Sequence, residues 1–378
     1  MIAVVADDLT GAVEIAGIGL RHGLSVEIAG AIDAPINVDL LVVATDTRSA
    51  PEQEAVQTMA AIASKLKALN PELIFKKIDS VLRGHVLAEL NAHLKQLDLQ
   101  NVLIVPANPA LGRTLTSGRY YINGQPIHLS SFADDPEFAI TGADVHTLLR
   151  CAKHQIFVQT ADNNLPTTGI VVGECETEND LKKWAAKVDN QMLLAGGSSF
   201  FAAILASHGY LQQTAEPVCS FEKPVLFICG STFDKSRQLV RQLKDNGGPV
   251  SYMPQNIITQ AAPAEELFDQ WADEVITLLN LHHKAVIAVD ENTIAPVNLR
   301  EKKARLVQKV LEITAVKELV IEGGATASAI INQLKLNRFT PVYEFSTGVI
   351  RMSAAQKGGL FLTLKPGSYA WPAQVWDF

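Results

Sequence analysis

Two carboxylates stand side by side near the head of the chain, in Asp7-Asp8-Leu9-Thr10-Gly11, directly after the apolar run Ile2-Ala-Val-Val-Ala6. Such a run reads as a buried strand, and the polar residues after it as the turn into a helix. In an open α/β sheet, ligands bind in the crevice beyond the carboxyl ends of the strands, where the next helix also offers free N–H groups to anions. Adjacent carboxylates repel unless a cation or hydrogen-bond donors stabilise them. The pair therefore suits a proton acceptor, a magnesium ligand or a group that binds hydroxyls. The competing reading makes one Asp a helix cap and the other a solvated side chain.

Further polar residues gather where other apolar runs end. Leu40–Ala44 is followed by Asp46 and Arg48. Leu73–Ile78 carries Lys76 and Lys77 and leads to Asp79, Ser80, Arg83 and His85. Val102–Val105 leads to Pro106-Ala-Asn108-Pro109 and Arg113. In a parallel sheet these ends converge on one crevice. Carboxylates and amides accept hydrogen bonds from hydroxyls while Arg and Lys hold an anion, so the combination suits a polyhydroxylated acid. Taken singly, Lys76 or Lys77 could face solvent and Arg48 could be a structural ion pair. His85 could carry protons or simply open a helix.

The second half has a different character. Gly230-Ser231-Thr232 and Gly323-Gly324-Ala325-Thr326 each follow an apolar run and enter a helical pattern, and Lys365-Pro-Gly367-Ser368 closes a third run. Turns of this kind leave backbone N–H groups free at a helix N-terminus, an arrangement that cradles phosphate. A P-loop is excluded, because G-x-x-x-x-G-K-[ST] does not occur. Gly17, Gly19 and Gly23 lie inside and at the end of the first helical segment, so close packing and a helix stop explain them better than a dinucleotide fingerprint.

The elements that must position these residues follow from the hydrophobic pattern. Strand-like runs at 2–6, 40–44, 73–78 and 102–105 alternate with amphipathic segments near 11–22, 51–69 and 85–97, the signature of βαβ units. Ser49-Ala-Pro-Glu52 has capping-box spacing, and Asn123-Gly124 between apolar flanks predicts a hairpin. Further strands are expected at 156–159, 169–175 and 191–195. After a polar stretch around 212–220 the rhythm resumes, with strands at 225–229, 285–289, 318–322, 342–345 and 360–364. At 378 residues two domains are expected, over 1–215 and 222–378. A hydrophobic content of 48% supports buried sheets. The net charge of −8, with no basic stripe, argues against nucleic-acid and membrane-surface partners. Four scattered cysteines, with no C-x-x-C pair, disfavour a zinc site and a disulfide framework. With no signal peptide and no apolar stretch of about 18 residues, a cytoplasmic location is expected.

Taken together, Ala6-Asp-Asp-Leu-Thr-Gly-Ala12, Lys76-Lys-Ile-Asp-Ser-Val-Leu-Arg-Gly84 and Pro106-Ala-Asn-Pro-Ala-Leu-Gly-Arg113 resemble the four-carbon acid sugar kinase family. Gly323-Gly-Ala-Thr326 and Lys365-x-Gly367 resemble its nucleotide-binding half. The resemblance covers essentially the whole chain. It implies two α/β domains, each a mostly parallel sheet flanked by helices, with the active site in the interdomain cleft. It implies ATP and Mg2+ as cofactors and the terminal hydroxyl of a four-carbon sugar acid as acceptor. Asp8, Arg48, Lys77, Asp79, Ser80 and Arg83 would line the acid-sugar site, joined by Asp7 and Asn108 from the same strand ends. Asp8 would be the catalytic base or hydroxyl-positioning group. Ser231, Gly323, Gly324, Ala325, Thr326 and Gly367 would hold ATP. The stretch Lys365-Pro-Gly-Ser-Tyr-Ala-Trp371 departs from the glycine-rich ending of many members, which puts the wall around the nucleotide in question. The acceptor expected is the 4-hydroxyl of D-threonate or D-erythronate, with 3-oxo-tetronate and L-threonate as alternatives. A phosphatase or lyase, or a sensor that binds acid sugar and nucleotide without turnover, are the rival functions. The partners expected are the acid sugar and ATP. A homodimer is left open.

Overall fold

The computed structural model describes residues 1–378 except 34, 136–137, 190, 214–218, 231–233, 291–297 and 368. The chain forms two compact units, Met1–Thr214 and Ala215–Phe378. No helix among the described residues is long and apolar enough to cross a membrane.

The first unit is built on strands β1 (Ile2–Ala6), β2 (Val26–Ala29), β3 (Leu40–Ala44), β4 (Leu73–Lys77) and β5 (Asn101–Val105), then β9 (Phe157–Gln159), β10 (Gly169–Gly173) and β11 (Met192–Gly196). A three-stranded antiparallel ribbon, β6 (Arg113–Thr116), β7 (Arg119–Ile122) and β8 (Gln125–Pro126), stands between β5 and β9 in the chain. Its helices are α1 (Leu9–Arg21), α2 (Glu52–Leu69), α3 (Val86–Leu97), α4 (Val145–Leu148), α5 (Glu178–Ala185) and α6 (Ser198–Ser207). The large sheet runs β2-β3-β1-β4-β11-β5-β10-β9, with every pair parallel. β1 is buried along its whole length, as a central parallel strand covered on both faces must be. From β1 the chain runs out to β2, returns to β3 between the two, then crosses to β4 on the other side of β1. The crevice between those two directions of growth lies at the carboxyl end of β1, where Asp7 and Asp8 emerge.

Two local signals have different outcomes. Asn123 and Gly124 join β7 to β8 with φ of 50° and 79°, as a tight hairpin turn of the primed type demands. The capping box at Ser49–Glu52 does not form. Pro51 is the N-cap, with ψ of 140° and no side-chain cap, and α2 begins at Glu52. A residue before proline is pushed out of the helical region, so Ala50 cannot belong to a helix that started at Ser49. Gly19 lies where an added Cβ would sit 2.6 Å from Leu40 and 2.8 Å from Val26, which bears out close packing of α1 on the sheet. The ribbon residues Leu115 and Tyr120, with Ile127 just after β8, share a core with Ile78, Val81, Leu82 and Val86, fixing the loop after β4 from outside.

The second unit contains β12 (Val225–Ile228), β13 (Val250–Tyr252), β14 (Lys284–Ala288), β15 (Glu318–Glu322), β16 (Arg338–Ser346), β17 (Val349–Ala354) and β18 (Phe361–Lys365). Its helices are α7 (Asp234–Asp245), α8 (Gln255–Thr259), α9 (Glu265–His282), α10 (Leu299–Ile313) and α11 (Gly324–Gln333). The strands run β13-β14-β12-β15-β18-β17-β16, parallel through β18 and antiparallel over the last two pairings. Here the direction of growth reverses between β12 and β15. The carboxyl ends of these two neighbours carry Gly230 and Gly323. Both units are thus α/β with mostly parallel sheets, as the alternating pattern predicts. The strands β2, β6, β13 and β17 were not read from that pattern: β2, β6 and β13 carry polar residues within short runs, and β17 carries a buried Arg351.

Candidate functional site

In the first unit the acidic pair divides its work. Asp8 is the N-cap of α1, with extended backbone, and accepts the Gly11 N–H at 2.9 Å. Asp7 is not solvated. It is 3% exposed and receives a two-pronged hydrogen bond from Arg48, Nε to Oδ2 at 3.0 Å and Nη2 to Oδ1 at 2.8 Å. Arg48 also donates from Nη1 to Asp8 Oδ2 at 3.0 Å, and its Nη2 lies 2.9 Å from Asp8 Oδ1. The cation that two adjacent carboxylates require is therefore a side chain of the neighbouring strand end. The sequence reading has Arg48 as a holder of the substrate anion; in the structure its guanidinium is committed to Asp7 and Asp8.

The loop carrying Arg48 is held by a buried relay. Thr45 Oγ1 donates to the Ala6 carbonyl, Thr47 Oγ1 donates to Glu89 at 2.6 Å, and Glu89 faces Lys76 Nζ at 2.7 Å. Lys76 is wholly buried and its ammonium is engaged by Glu89. Lys77 is buried on the other face of β4. Its ammonium donates to the Ile78 carbonyl at 3.0 Å and lies 3.8 Å from Glu14, its nearest carboxylate. A Cβ on Gly11 would stand 2.7 Å from Asp8 Oδ1 and 3.1 Å from Lys77 Nζ, so glycine keeps open the small space that both groups border.

After β4, Asp79 accepts from Arg83 Nε and Nη2, both at 2.9 Å, and from the Arg83 N–H at 3.1 Å. Arg83 also reaches Asp135 at 2.6 Å. Arg48 Nη1 is 3.9 Å from Asp79, which joins the two clusters. Ser80 accepts from Arg113 Nη1 at 2.6 Å, and Asn108 exchanges backbone hydrogen bonds with Arg113. Asp7, Asp8, Arg48, Asp79 and Arg83 thus form one network, Lys77 flanks it across Gly11, and Ser80 and Asn108 are tied to each other through Arg113. Arg113 was legible as a strand-end residue but was not counted among the site residues. His85 bonds the Ala50 carbonyl at 2.7 Å and opens α3, the helix-start role.

Burial opposes ionisation of Asp7, yet Arg48, Lys76 and Lys77 outweigh it and hold its carboxyl below the ordinary value. For Asp79 burial is likewise outweighed, here by Arg83 and Arg48, and the carboxyl is held well below its ordinary value. A carboxylate with a depressed folded-state pKa stabilises the fold above its unfolded value, about 4. That contribution is lost as pH falls through the folded value. The urea midpoint of the first unit is therefore expected to hold steady from pH 7 to 5 on account of these groups, and to fall steeply below about pH 4. Circular dichroism during urea titration at each pH checks this; a midpoint unchanged down to about pH 2 would contradict the pairing.

In the second unit, Ser231 lies outside the described residues. Its neighbour Gly230 packs so closely that a Cβ would meet Thr326 Oγ1 at 2.2 Å and the Glu322 carbonyl at 2.6 Å. The turn after β12 therefore rests on the start of α11. Gly323, at φ 93°, is the N-cap of α11 and offers no side-chain cap. The first-turn N–H groups of Gly324, Ala325 and Thr326 are left for an anion to satisfy. Beneath them lies a buried polar cluster. Glu322 accepts from Ser236 Oγ and faces Lys365 Nζ at 2.9 Å, with Glu322 and Lys365 both fully buried. Lys365 also donates to the carbonyls of Pro366 and Gly367 and sits 4.9 Å from the Trp371 ring centroid. In this variant ending, the lysine and Trp371 brace the Gly367 turn. Glu322 and Ser236 were missed because a Glu at a strand end reads as solvated; its position one residue before Gly323-Gly324 was the available signal.

A cavity of about 430 Å3 also opens between the start of α9 and the length of α10, reaching Gln333 at the end of α11. Of its three cations, Arg305 and Lys309 are paired with Glu265 and Lys302 donates to the Ile258 carbonyl at 3.0 Å, and the cavity does not include the glycine turns.

One unit presents ion-paired carboxylates at a sheet switch point, and the other presents uncapped helix N–H groups between glycine turns, so the two halves suit a polar small molecule and a phosphate respectively. Residues 2–204 match the model of a sugar-binding N-terminal domain, and residues 226–369 that of a nucleotide-binding C-terminal domain. The chain belongs to the four-carbon acid sugar kinase family, and it is a kinase. It is 28% identical to D-threonate kinase of Bordetella bronchiseptica over 97% of this chain and 94% of that protein. It is 24% identical to 3-oxo-tetronate kinase of Brucella melitensis over 97% and 92%. Among solved structures, Haemophilus influenzae protein HI1011 superposes with a TM-score of 0.76 at 22% identity, covering 99% of this chain and 98% of that one, a likeness of fold.

Proposed function

We propose that this kinase transfers the γ-phosphoryl group of ATP to the 4-hydroxyl of D-threonate or its epimer D-erythronate. The observation that carries the reading is the juxtaposition of Asp8, held by Arg48, with the Lys77 ammonium across the gap that Gly11 leaves open. A carboxylate and a cation facing one small space suit a hydroxyl and a carboxylate on one short molecule. Lys77 and Arg113 are the cations offered to the substrate carboxylate, since among the described residues Lys77 comes no nearer to a carboxylate than 3.8 Å, at Glu14, and Arg113 is engaged by the Ser80 hydroxyl. Asp7, Asp79, Ser80, Arg83 and Asn108 shape the hydroxyl side, and Arg48 orients the acidic pair.

In the reaction, Asp8 accepts the hydrogen bond of the 4-hydroxyl and aims its oxygen at phosphorus. As the new O–P bond forms and the bond to the β-phosphate oxygen breaks, the hydroxyl proton passes to Asp8 and ADP departs. Phosphoryl transfer depends chiefly on alignment and charge stabilisation, so orientation is the larger part of this role. The N–H groups of Gly324, Ala325 and Thr326 receive the nucleotide phosphates, with Ser231 and Gly367 beside them; Gly323 shapes the turn, its own N–H being donated to the Lys365 carbonyl at 2.8 Å. Among the described residues no group of three carboxylate, histidine or cysteine ligands could hold a metal ion. In kinases Mg2+ keeps several waters and is bound by the substrate phosphates with one or two carboxylates, so it would enter with ATP and neutralise phosphate charge.

Within the family, 28% identity to a D-threonate kinase against 24% to a 3-oxo-tetronate kinase favours the first acceptor. The test is a coupled ADP-release assay across D-threonate, D-erythronate, L-threonate and 3-oxo-tetronate. ADP is expected only when acid sugar is present, with the highest kcat/KM on D-threonate or D-erythronate. Preference for L-threonate or 3-oxo-tetronate would overturn the acceptor, and tight acid-sugar binding with no ADP formed would favour a sensor.

A further inference from the structure

Lys303 stands in the second turn of α10 and is 4% exposed. Its ammonium donates to the carbonyl of Cys229 at 2.9 Å, one residue before Gly230. It therefore sits at the root of the turn that packs on the N-terminus of α11. The groups that face it are the Cys229 thiol at the end of β12 and Glu322 at the end of β15; Lys365 on β18 lies beside both of these. Glu322 is already engaged by Lys365 and by Ser236 of α7. Burial and the nearby Glu322 push the Cys229 thiol up, which keeps it neutral. Among the described residues, two ammonium groups thus lie near one carboxylate in a buried cluster, and Lys303 itself is bonded to a backbone carbonyl.

A buried charge without a full partner is strongly unfavourable, and an apolar side chain of similar volume would anchor α10 on the sheet without that penalty. Retention of a cation at this depth calls for an anion that arrives from outside. The nearest groups built to receive one are the N–H donors of the glycine turns directly above.

Resting on the nucleotide reading above, we propose that Lys303 is a positioning cation of the nucleotide site, whose charge offsets that of the phosphates bound at the Gly230 turn and the start of α11. In the nucleotide-free protein, burial pushes the Lys303 ammonium down to about 8, against the favourable pull of the Glu322 carboxylate. A bound polyphosphate favours the charged form, so nucleotide binding takes up a proton around this pH. Affinity is then expected to fall as pH rises past 8. Above about pH 7.5 the nucleotide phosphates are already fully ionised and contribute no slope of their own.

The experiment is calorimetric titration of the full chain with ADP from pH 7.5 to 9.5, in buffers of different ionisation enthalpy. Wild type, Lys303→Met and Lys303→Arg are compared. Wild type is expected to weaken roughly tenfold over this range with measurable proton uptake. Lys303→Met is expected to bind about tenfold more weakly at pH 7.5 and to show no uptake, and Lys303→Arg to bind without pH dependence. Should Lys303→Met fail to fold, proton uptake by wild type set against Lys303→Arg decides the matter. ADP binding by Lys303→Met with wild-type strength, or uptake retained in Lys303→Arg, would make Lys303 a fold anchor and overturn the inference alone. Absence of ADP binding by wild type at every pH would overturn the nucleotide reading, and this inference with it.

Discussion

Asp8→Asn is expected to lower turnover by about two to four orders of magnitude while leaving ADP affinity within about twofold. Asparagine is as good an N-cap as aspartate, so the hydrogen bond from the Gly11 N–H and the start of α1 survive. Asp7 keeps its two-pronged bond to Arg48, so the buried charge of the crevice stays compensated. The substitution removes only the negative charge at the partly exposed carboxylate, which is the group placed to align the acceptor hydroxyl and take its proton. Loss of an interaction made in the transition state lowers kcat and kcat/KM together. Initial rates with varied acid sugar and varied ATP, alongside calorimetric ADP binding, measure the effect. Undiminished kcat would remove Asp8 from the reaction and return it to helix capping.

Arg48→Met strikes the fold as well as the site. Asp7 is 5% exposed at its side chain and Arg48 16%, so the methionine variant leaves a buried carboxylate without its guanidinium. Removing one partner of a buried pair typically destabilises by about 3–5 kcal/mol. Lys76 and Lys77 still act on Asp7 from a distance, so the lower end, about 3 kcal/mol, is expected, together with loss of activity as Asp8 is no longer oriented. Arg48→Lys should recover little. A single ammonium cannot span both oxygens of Asp7 and also reach Asp8, whereas the planar guanidinium does. The pair Arg48→Met with Asp7→Asn should be more stable than Arg48→Met alone, because the orphaned charge is gone. Urea denaturation of the three variants reads these differences. An Arg48→Met protein as stable as wild type would show that the crevice does not depend on this ion pair.

The alternation of apolar runs with amphipathic segments was enough to predict two α/β halves, and the polar residues at run ends were enough to pick out side chains that the fold brings together at one sheet edge. Asp8, Arg48, Lys77 and Asp79 were chosen because parallel strands deliver their carboxyl ends to one edge, and they do lie at one edge. The hairpin at Asn123-Gly124 was equally legible, since its φ requirement is local. The capping box at Ser49 was local too, but Pro51 competed with it and prevailed.

By itself the sequence determined which residues can be apolar strand, turn or helix start, because burial and backbone preference act over a few residues and leave a periodic trace. Tertiary structure alone decided the partners. That Asp7 turns inward onto Arg48 while Asp8 caps α1 depends on β3 lying beside β1, 41 positions away for the bond between Arg48 and Asp7. That Glu322 is buried beneath Lys365, with Lys303 close by, depends on β15 lying between β12 and β18. Charges find their counter-ions through strand order, and strand order follows from how the whole sheet excludes water rather than from any one stretch of residues.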